Sequence, residues 1–362
     1  MNGDTYSLIL WMIILTFFSF LTQEMQIFRA ISEVENYLVI FRNARDKSIH
    51  FLASQLKRYG EVSDEKQIEA AVSDLVETYT ILPVDLDPFG IVKKIKHIVQ
   101  TGEKGVEEKI SRIAPRASRA EVQNLSNIVE IARALNVIYK QLNHYYLIAR
   151  KFRSLWLLMQ LSAQMPFVME EVKAIEGALE SFSHGVPIGD SAGPLLTSYL
   201  VRKYSSDIKP LEPVADTEVY RLDIDGRKIY VVKAKGPGGT VGHLDEALQW
   251  ILEHEKPTHI ITVDAALKYE GEESGSLAYG YGVAMGGIGA ERFVIEELAT
   301  RNNIPLYALL IKMSEAEALS VMTEKIYKGV KNALTVVENF IKSLPVGSVV
   351  VLIGVGNTVG VP

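Results

Sequence analysis

The longest apolar stretch of the chain lies at its N-terminus. Residues 5–23 carry no charge, and their centre, Leu8–Leu15, consists only of apolar side chains. A helix of this length spans the hydrocarbon core of a bilayer. No basic segment precedes the stretch and no small-x-small cleavage site follows it, so residues 1–23 are predicted to form a retained transmembrane anchor rather than a signal peptide. A buried core helix is the alternative.

Charged residues around the anchor predict its orientation. Asp4 precedes the apolar stretch, whereas four basic residues follow it: Arg29, Arg42, Arg45 and Lys47. Basic residues tend to stay on the cytoplasmic side of a membrane. The sequence therefore predicts a single-pass protein of the cell membrane with the bulk of the chain in the cytoplasm.

Residues 24–183 form a second zone, in which the apolar pattern is helical. The pattern is most regular after Ser118, where apolar residues alternate spacings of three and four for about five heptads. The members of this stripe are Ile128, Ile131, Leu135, Ile138, Leu142, Tyr145, Ala149, Phe152, Trp156, Met159 and Ala163. The stripe is typical of a coiled coil that joins protomers. It also fits an intramolecular helical hairpin that packs on an earlier stripe, formed by Ile27, Ile31, Val34, Leu38 and Phe41.

A second uncharged stretch, Leu155–Met169, lies within this helical zone. It is shorter than a membrane span, contains Pro166 and follows Lys151 and Arg153. We interpret it as buried or interfacial rather than as a second crossing.

From residue 184 to 362 the pattern changes to alternating strands and helices. Asp225-Gly226 between two β-branched runs predicts a hairpin. Helices are predicted at 194–202, 243–254 and 314–343, and further strands at 258–263, 305–311 and 348–353. This alternation predicts a mainly parallel sheet covered by helices, hence an α/β sandwich whose sites form at the carboxyl ends of the strands.

Composition narrows the possible functions. The 362 residues have a net charge of −6, which disfavours a nucleic-acid partner, and the chain has no cysteine. Disulfides, thiolate nucleophiles and cysteine-based metal sites are thereby excluded.

Two short acidic motifs carry the strongest indication of chemistry. One is Gly189–Pro194, which contains Asp190, and the other is the apolar run Ile261–Ala265, which leads into Asp264. Two carboxylates at one edge of a sheet can share a proton and polarise a water. Asp190 is equally well placed to cap the following helix, and Asp264 to cap a turn.

Several loop residues are candidates for substrate contacts. Segments 236–239 and 280–289 are rich in glycine, and a third glycine-rich segment follows the last predicted strand. The 280–289 loop lacks the Gly-Lys-Ser/Thr ending of a nucleotide-binding loop, which favours a lid or a turn over a phosphate site. The candidates are Gly238, Gly239, His243, Gly286, Gly287 and Asn357.

Four stretches of the C-terminal half carry a resemblance to the spore germination protease and, more distantly, to the hydrogenase-maturation endopeptidases. They are Gly189–Pro194, Lys235–Gly239, Ile261–Ala265 and the loop Gly282–Gly289 followed by Asn303–Pro305. The resemblance implies a phosphorylase- or hydrolase-like α/β fold.

The same resemblance implies roles for the two acids. Asp190 and Asp264 fall on two aspartates thought essential in the protease and on two metal-contacting acids in the endopeptidases. The resemblance therefore implies that the two acids either activate a water or bind a divalent cation. Where the endopeptidases supply a histidine as third ligand, this chain has Ala284 and Met285.

The order of the motifs differs from that of both families in the position of one strand. Their first acid follows a strand that ends in Gly-x-Gly-Asn, whereas here that strand, Val349–Asn357, stands at the C-terminus. We interpret the domain as permuted, which predicts that Asn357 lies next to Asp190. The chain as a whole also resembles an archaeal family of membrane proteins of unknown function.

These observations predict a membrane-anchored cytoplasmic peptidase that acts on a protein or peptide substrate through Asp190 and Asp264. The alternatives are a non-catalytic scaffold that oligomerises through the helical domain, and a small-ligand-binding module. Fold analogy does not choose among them.

Overall fold

The computed structural model describes residues 3–60, 65–78, 90–204, 209–286 and 289–362. The described helices are α1 Gly3–Tyr59, α2 Glu65–Glu77, α3 Ile91–Ile113, α4 Arg119–Lys151, α5 Leu155–His184, α6 Ala192–Tyr204, α7 Leu244–His254, α8 Ala290–Arg301, α9 Glu315–Leu319 and α10 Glu324–Ser343. The described strands are β1 Leu211–Val214, β2 Thr217–Ile224, β3 Arg227–Ala234, β4 His259–Leu267, β5 Leu277–Tyr281, β6 Leu306–Met313 and β7 Val349–Gly354.

Helix α1 has two parts with different environments. In the part of the chain that the structure describes, it is the one helix long and apolar enough to cross a membrane, with a mean hydropathy of 1.7 in its most apolar window. None of that window is buried against the rest of the protein, so it is not a core helix of this fold. From Ile27 onward, α1 buries one residue every three or four positions.

Helices α1, α4 and α5 pack against one another within the chain. Val34 and Leu38 of α1 lie in one buried cluster with Ile128 and Leu135 of α4. These are the two stripes that the sequence predicts for an intramolecular hairpin. Packing of this kind is therefore present within one chain, while association of protomers through the same zone stays a prediction.

The predicted stripe does not continue as one helix. The chain turns between α4 and α5, where Arg153 adopts a positive φ of 48° and the Ser154 side chain caps α5 by accepting from Leu157 N. The turn sends α5 back along α4, so Trp156 points to solvent instead of continuing the buried stripe. The apolar spacing alone does not reveal this turn, because apolar residues keep the same spacing on both sides of it.

The sheet has seven strands in the order β1-β2-β3-β7-β4-β6-β5. The four strands β3, β7, β4 and β6 are mutually parallel, and the flanking strands pair antiparallel. The predicted α/β class is confirmed, and so is the hairpin, whose Asp225 and Gly226 both have positive φ. The antiparallel edge strand β5 occupies the start of the segment that the sequence predicts as a glycine-rich loop.

Both faces of the sheet are covered by helices. One face buries Leu196 of α6 and Val330 of α10, and the other buries Leu248 of α7 and Ile295 of α8. Strand β7 lies between these layers, which explains why Val350–Ile353 is an unbroken apolar run with no exposed residue. The predicted helix at 314–343 is interrupted between α9 and α10, where Val321 forms a bridge with Ile188.

Candidate functional site

The start of helix α6 lies directly on the carboxyl ends of the central strands. A Cβ added to Gly193 would be 2.5 Å from the carbonyl oxygen of Val263 in β4 and 2.3 Å from that of Val355 after β7. Any side chain would collide with both strands. Glycine at this position therefore lets α6 begin at the sheet edge, and it fixes the position of the preceding acid.

Asp190 lies in a single 3-10 turn, Gly189–Ser191, just before α6. Its Oδ2 accepts a hydrogen bond of 2.8 Å from the backbone N–H of Asn357. The predicted proximity of Asn357 and Asp190 is thus confirmed. Gly356 permits this contact, because it has a φ of 129° and a Cβ on it would be 2.0 Å from the backbone oxygen of Asp190.

Asp264 lies inside β4 rather than at its tip, where the sequence pattern had placed it. Strand β4 pairs with β7 only as far as Val263, but with β6 as far as Leu267. Asp264 is therefore the first residue at which β4 extends beyond its neighbour β7. Its Oδ1 accepts from Ala265 N at 2.7 Å and its Oδ2 from Gly286 N at 3.2 Å.

Burial is the main electrostatic influence on both acids, and at Asp264 the charge of Asp190 adds to it. Burial, followed by the negative charge of Asp190, raises the pKa of Asp264 to about 7, although two backbone N–H groups act in the opposite direction. The backbone brings the two acids to the same edge of the sheet, because Gly193, three residues after Asp190, lies against the carbonyl oxygen of Val263, the residue before Asp264. Burial also raises the pKa of Asp190, against the hydrogen bond from Asn357. Within the described ranges, neither acid forms an ion pair with a basic side chain.

The hydroxyl of Ser191 adds an unused polar group beside Asp190. Ser191 is fully buried, and its Oγ has no hydrogen-bond partner among the described residues. Buried hydroxyls are normally satisfied by protein or by ordered water. This hydroxyl is therefore available to a small polar molecule bound near the acid.

Helix α4 of the helical domain reaches the rim of this site. The Asn127 side chain donates to Gly239 O at 2.7 Å, and Asn124 Oδ1 accepts from Gly239 N at 2.8 Å. Gly238 also packs on α4, since a Cβ on it would be 2.0 Å from Gln123 Oε1. The predicted glycines Gly238 and Gly239 thus contact the protein itself, where they join the two domains.

Asn127 also connects α4 to the acidic pair. The Asn357 side-chain amide donates to Asn127 Oδ1 at 3.3 Å, and the backbone of Asn357 holds Asp190. Sequence reasoning did not find Asn127. The available signal was the run of amides at Gln123, Asn124 and Asn127, which lies beside the apolar stripe and resembles an ordinary solvent-exposed face.

His243 contacts the helical domain. It precedes α7 without capping it, and its Nδ1 lies 3.3 Å from the Gln100 side-chain nitrogen of α3. Both residues line a cleft of about 1530 Å³ between the helical and α/β domains, and Asn357 lines the same cleft. Gly286 lies beside Asp264, as its hydrogen bond shows. Gly287 lies outside the described residues.

The donor set around the two acids fits a resident metal ion poorly. No group of three or more histidine, aspartate or glutamate side chains is arranged to hold a metal in the described part of the chain. Both oxygens of Asp264 already accept backbone hydrogen bonds. Ala284 and Met285 offer no substitute for a histidine ligand.

Two family models match the chain. The "Protein of unknown function (DUF1512) N-terminal domain" matches residues 8–185, and the "Domain of unknown function (DUF1512) C-terminal" matches residues 188–362. Together they cover nearly the whole sequence, and the chain belongs to the DUF1512 family. No curated protein and no solved structure matches it.

Proposed function

We propose that this member of the DUF1512 family is a membrane-anchored, peptidase-like hydrolase that activates water with Asp190 and Asp264. The observation that carries the proposal is the pKa of Asp264, raised to about 7 by burial and by the charge of Asp190. Strongly shifted carboxyl groups in close pairs are typical of acid–base sites. A scaffold gives no reason for a buried acid pair that has no basic partner among the described residues.

The proposed reaction uses the pair as a shared acid and base. Near neutral pH, repulsion favours a state in which one carboxyl group is protonated and the other is ionised. The ionised group takes a proton from the attacking water, and the protonated group gives its proton to the carbonyl oxygen of the scissile amide. The resulting intermediate carries two hydroxyl groups on the former carbonyl carbon. As its C–N bond breaks, the acid that took the proton from water gives it to the leaving amine, and the other acid takes a proton from one hydroxyl, which restores the carbonyl and the starting state of the pair.

Two features of the structure support water as the nucleophile. Neither acid is neutralised by a described basic side chain, so one can act as a base. The free Ser191 hydroxyl beside Asp190 can hydrogen-bond to a bound water. Because the donor set fits a metal poorly, no step of this reaction is assigned to one.

The interdomain cleft supports a polypeptide as the substrate. Its volume of about 1530 Å³ exceeds the 300–1,000 Å³ typical of small-molecule pockets. The Asn357 side chain lines it, and the backbone of the same residue holds Asp190. Neither Asp190 nor Asp264 lines the cleft, so a peptide bound there would reach the acids only past Asn357.

The order of motifs gives independent support. The stretches that resemble the germination protease contain both acids, and Gly286 of the fourth stretch donates to Asp264. The contact between Asn357 and Asp190 is what a permuted version of that fold requires. The anchor and the basic residues after it favour a cytoplasmic location for the site.

The test is cleavage of a mixed peptide library by the full chain in detergent micelles, read by mass spectrometry. Asp190→Asn and Asp264→Asn are each expected to lower cleavage by about 100-fold or more, the scale of loss when a general acid or base is removed. Asp225→Asn, in the exposed hairpin turn, is the matched control and should cleave normally. Unchanged cleavage by Asp264→Asn would refute the proposal.

A small-ligand-binding module is the alternative that a specific observation favours. The cleft is deep enough for a ligand, and its lining includes His243 and Gln100. In that case a ligand should raise the thermal midpoint equally in wild type and in the Asp190→Asn/Asp264→Asn double variant, while the library stays intact.

A further inference from the structure

The turn between α4 and α5 lies at the end of the helical domain nearest the anchor. Arg153 in this turn forms an ion pair with Glu24, the first charged residue after the apolar stretch of α1. If the anchor crosses a bilayer, Glu24 marks where α1 leaves it. The ion pair then holds the turn at the level of the lipid headgroups.

The register of the bundle fixes this placement along its whole length. Lys47 pairs with Glu176 at 2.6 Å. This contact and the Arg153–Glu24 pair are separated by 23 residues along α1 and by 23 residues from the turn into α5. Helix α5 therefore runs alongside α1 without slipping. Its first turn lies at the anchor end, and each later residue is about 1.5 Å farther away.

Exposed large apolar side chains occur at this end on both α1 and the α4–α5 turn. Phe152 is 70% exposed and Trp156 is 69% exposed, although the pattern of the sequence placed both in a buried stripe. On α1, Met25 is 72% exposed and Phe28 is 75% exposed. Single exposed apolar residues are ordinary, whereas a group of them marks an interaction surface.

The charges beside these side chains suit a phospholipid surface. Lys151 lies with its Nζ 5.5 Å from the centre of the Phe152 ring, and Arg29 of α1 is exposed next to Phe28. Tryptophan and basic residues are enriched where proteins meet lipid headgroups, because the ring is amphipathic and the cation binds phosphate.

We propose that the α4–α5 turn is a second membrane contact, in which Phe152 and Trp156 enter the headgroup region of the bilayer that α1 crosses. The proposal depends on the anchor and not on the hydrolase function. It assigns the occupant of this surface as phospholipid, since the surface is continuous with the anchor and basic at its edge. The contact would stop the helical domain from pivoting about a single helix.

The test uses Trp156 as a fluorescent reporter in the full chain. Trp11→Phe and Trp250→Phe remove the other two tryptophans, and the protein is placed one copy per nanodisc, with phosphatidylcholine and phosphatidylglycerol as the lipids. The matched control adds Trp156→Phe and Phe167→Trp. Phe167 is 76% exposed on the same helix, but it lies 11 residues farther from the anchor, about 16 Å.

Brominated lipids are expected to quench the Trp156 reporter about twofold or more and the Phe167→Trp reporter scarcely at all, because bromine on the acyl chains quenches only tryptophans at the bilayer. The Trp156 emission should also be shifted to the blue. Equal quenching of both reporters by aqueous acrylamide, with no effect of bromine, would overturn the proposal. A Trp156 reporter that is shielded from acrylamide yet insensitive to bromine would also overturn it, because protein rather than lipid would then cover the surface.

Discussion

The helical bundle and the acidic edge of the sheet are held together in different ways. In the bundle, α1, α4 and α5 meet through side chains, and Gly177 of α5 has open space around it. At the sheet edge, backbone meets backbone: Gly193 touches two strands, and Gly356 touches Asp190. Bundle contacts depend on residue spacing, whereas the edge depends on the absence of side chains.

This difference explains where the chain can position chemistry. Side-chain packing in the bundle tolerates exchanges of similar volume, because neighbouring side chains adjust. The backbone contacts at the sheet edge leave no room for an added side chain or a shifted backbone. Asp190 and Asp264 are therefore held in fixed positions, although the charge of Asp190 disfavours the ionised form of Asp264. The edge therefore combines low tolerance of substitution with an electrostatic cost, as expected of a functional site.

The largest expected effect appears when a glycine is replaced by alanine at the sheet edge and, for comparison, in the bundle. Gly193→Ala should destabilise the protein by about 3 kcal/mol or more, because the methyl collides with two backbone oxygens that cannot move. Gly177→Ala, in an exposed helix position, should stabilise it by about 0.5–1 kcal/mol. Urea unfolding of the full chain in micelles, followed by far-UV circular dichroism, measures both. If both substitutions change the free energy of unfolding by a similar small amount, the sheet edge and the bundle do not differ in the way described above.

The second prediction concerns the electrostatic cost of the edge. The native pKa of Asp264 is about 7 and its ordinary value is 3.8, so the folded state holds an extra proton between these pH values. Stability is therefore lost as the pH rises through this window. Asp264→Asn cannot ionise, and it should be more stable than wild type above pH 7 by about 2 kcal/mol, half the limit set by the difference between the two pKa values.

The stabilisation by Asp264→Asn should fade as the pH falls toward 4, where the wild-type acid is protonated. Urea midpoints measured in pairs at pH 4.5, 6 and 8 test this dependence. Asp225→Asn, in the exposed turn between β2 and β3, should show no such trend. An equal gain at every pH would mean that packing, rather than the charge, separates the two proteins.

The smallest expected effect tests the link between the two regions. Asn127→Ala removes the side-chain contacts of α4 with Gly239 and Asn357, and it should cost about 1 kcal/mol. Asn143→Ala is the control, since Asn143 lies on the same helix and forms no hydrogen bond to another described element. The expected signature is faster hydrogen exchange at Asn357 N–H in Asn127→Ala alone. If both variants exchange alike, Asn127 does not support the site.

Much of the architecture followed from the sequence because it depends on local periodicity. Three local patterns predicted the structure of the segment in which they occur. They are the uncharged N-terminal stretch, the helical spacing after Ser118 and the Asp225-Gly226 turn. The pairing of Asn357 with Asp190 was also predicted, but from a resemblance between motifs rather than from periodicity. The turn at Arg153 was missed, because the apolar spacing continues across it.

The sequence by itself determined which segments are helices and strands, and that acids stand near the ends of strands, since spacing and turn chemistry act over a few residues. Only the tertiary structure decided that β7 lies between β3 and β4, that Asp264 is buried within range of the charge of Asp190, and that Asn127 reaches the site. These outcomes depend on contacts between residues far apart in the chain. No local pattern records how closely two distant backbones approach, and it is this approach that buries the acids and so raises their pKa values.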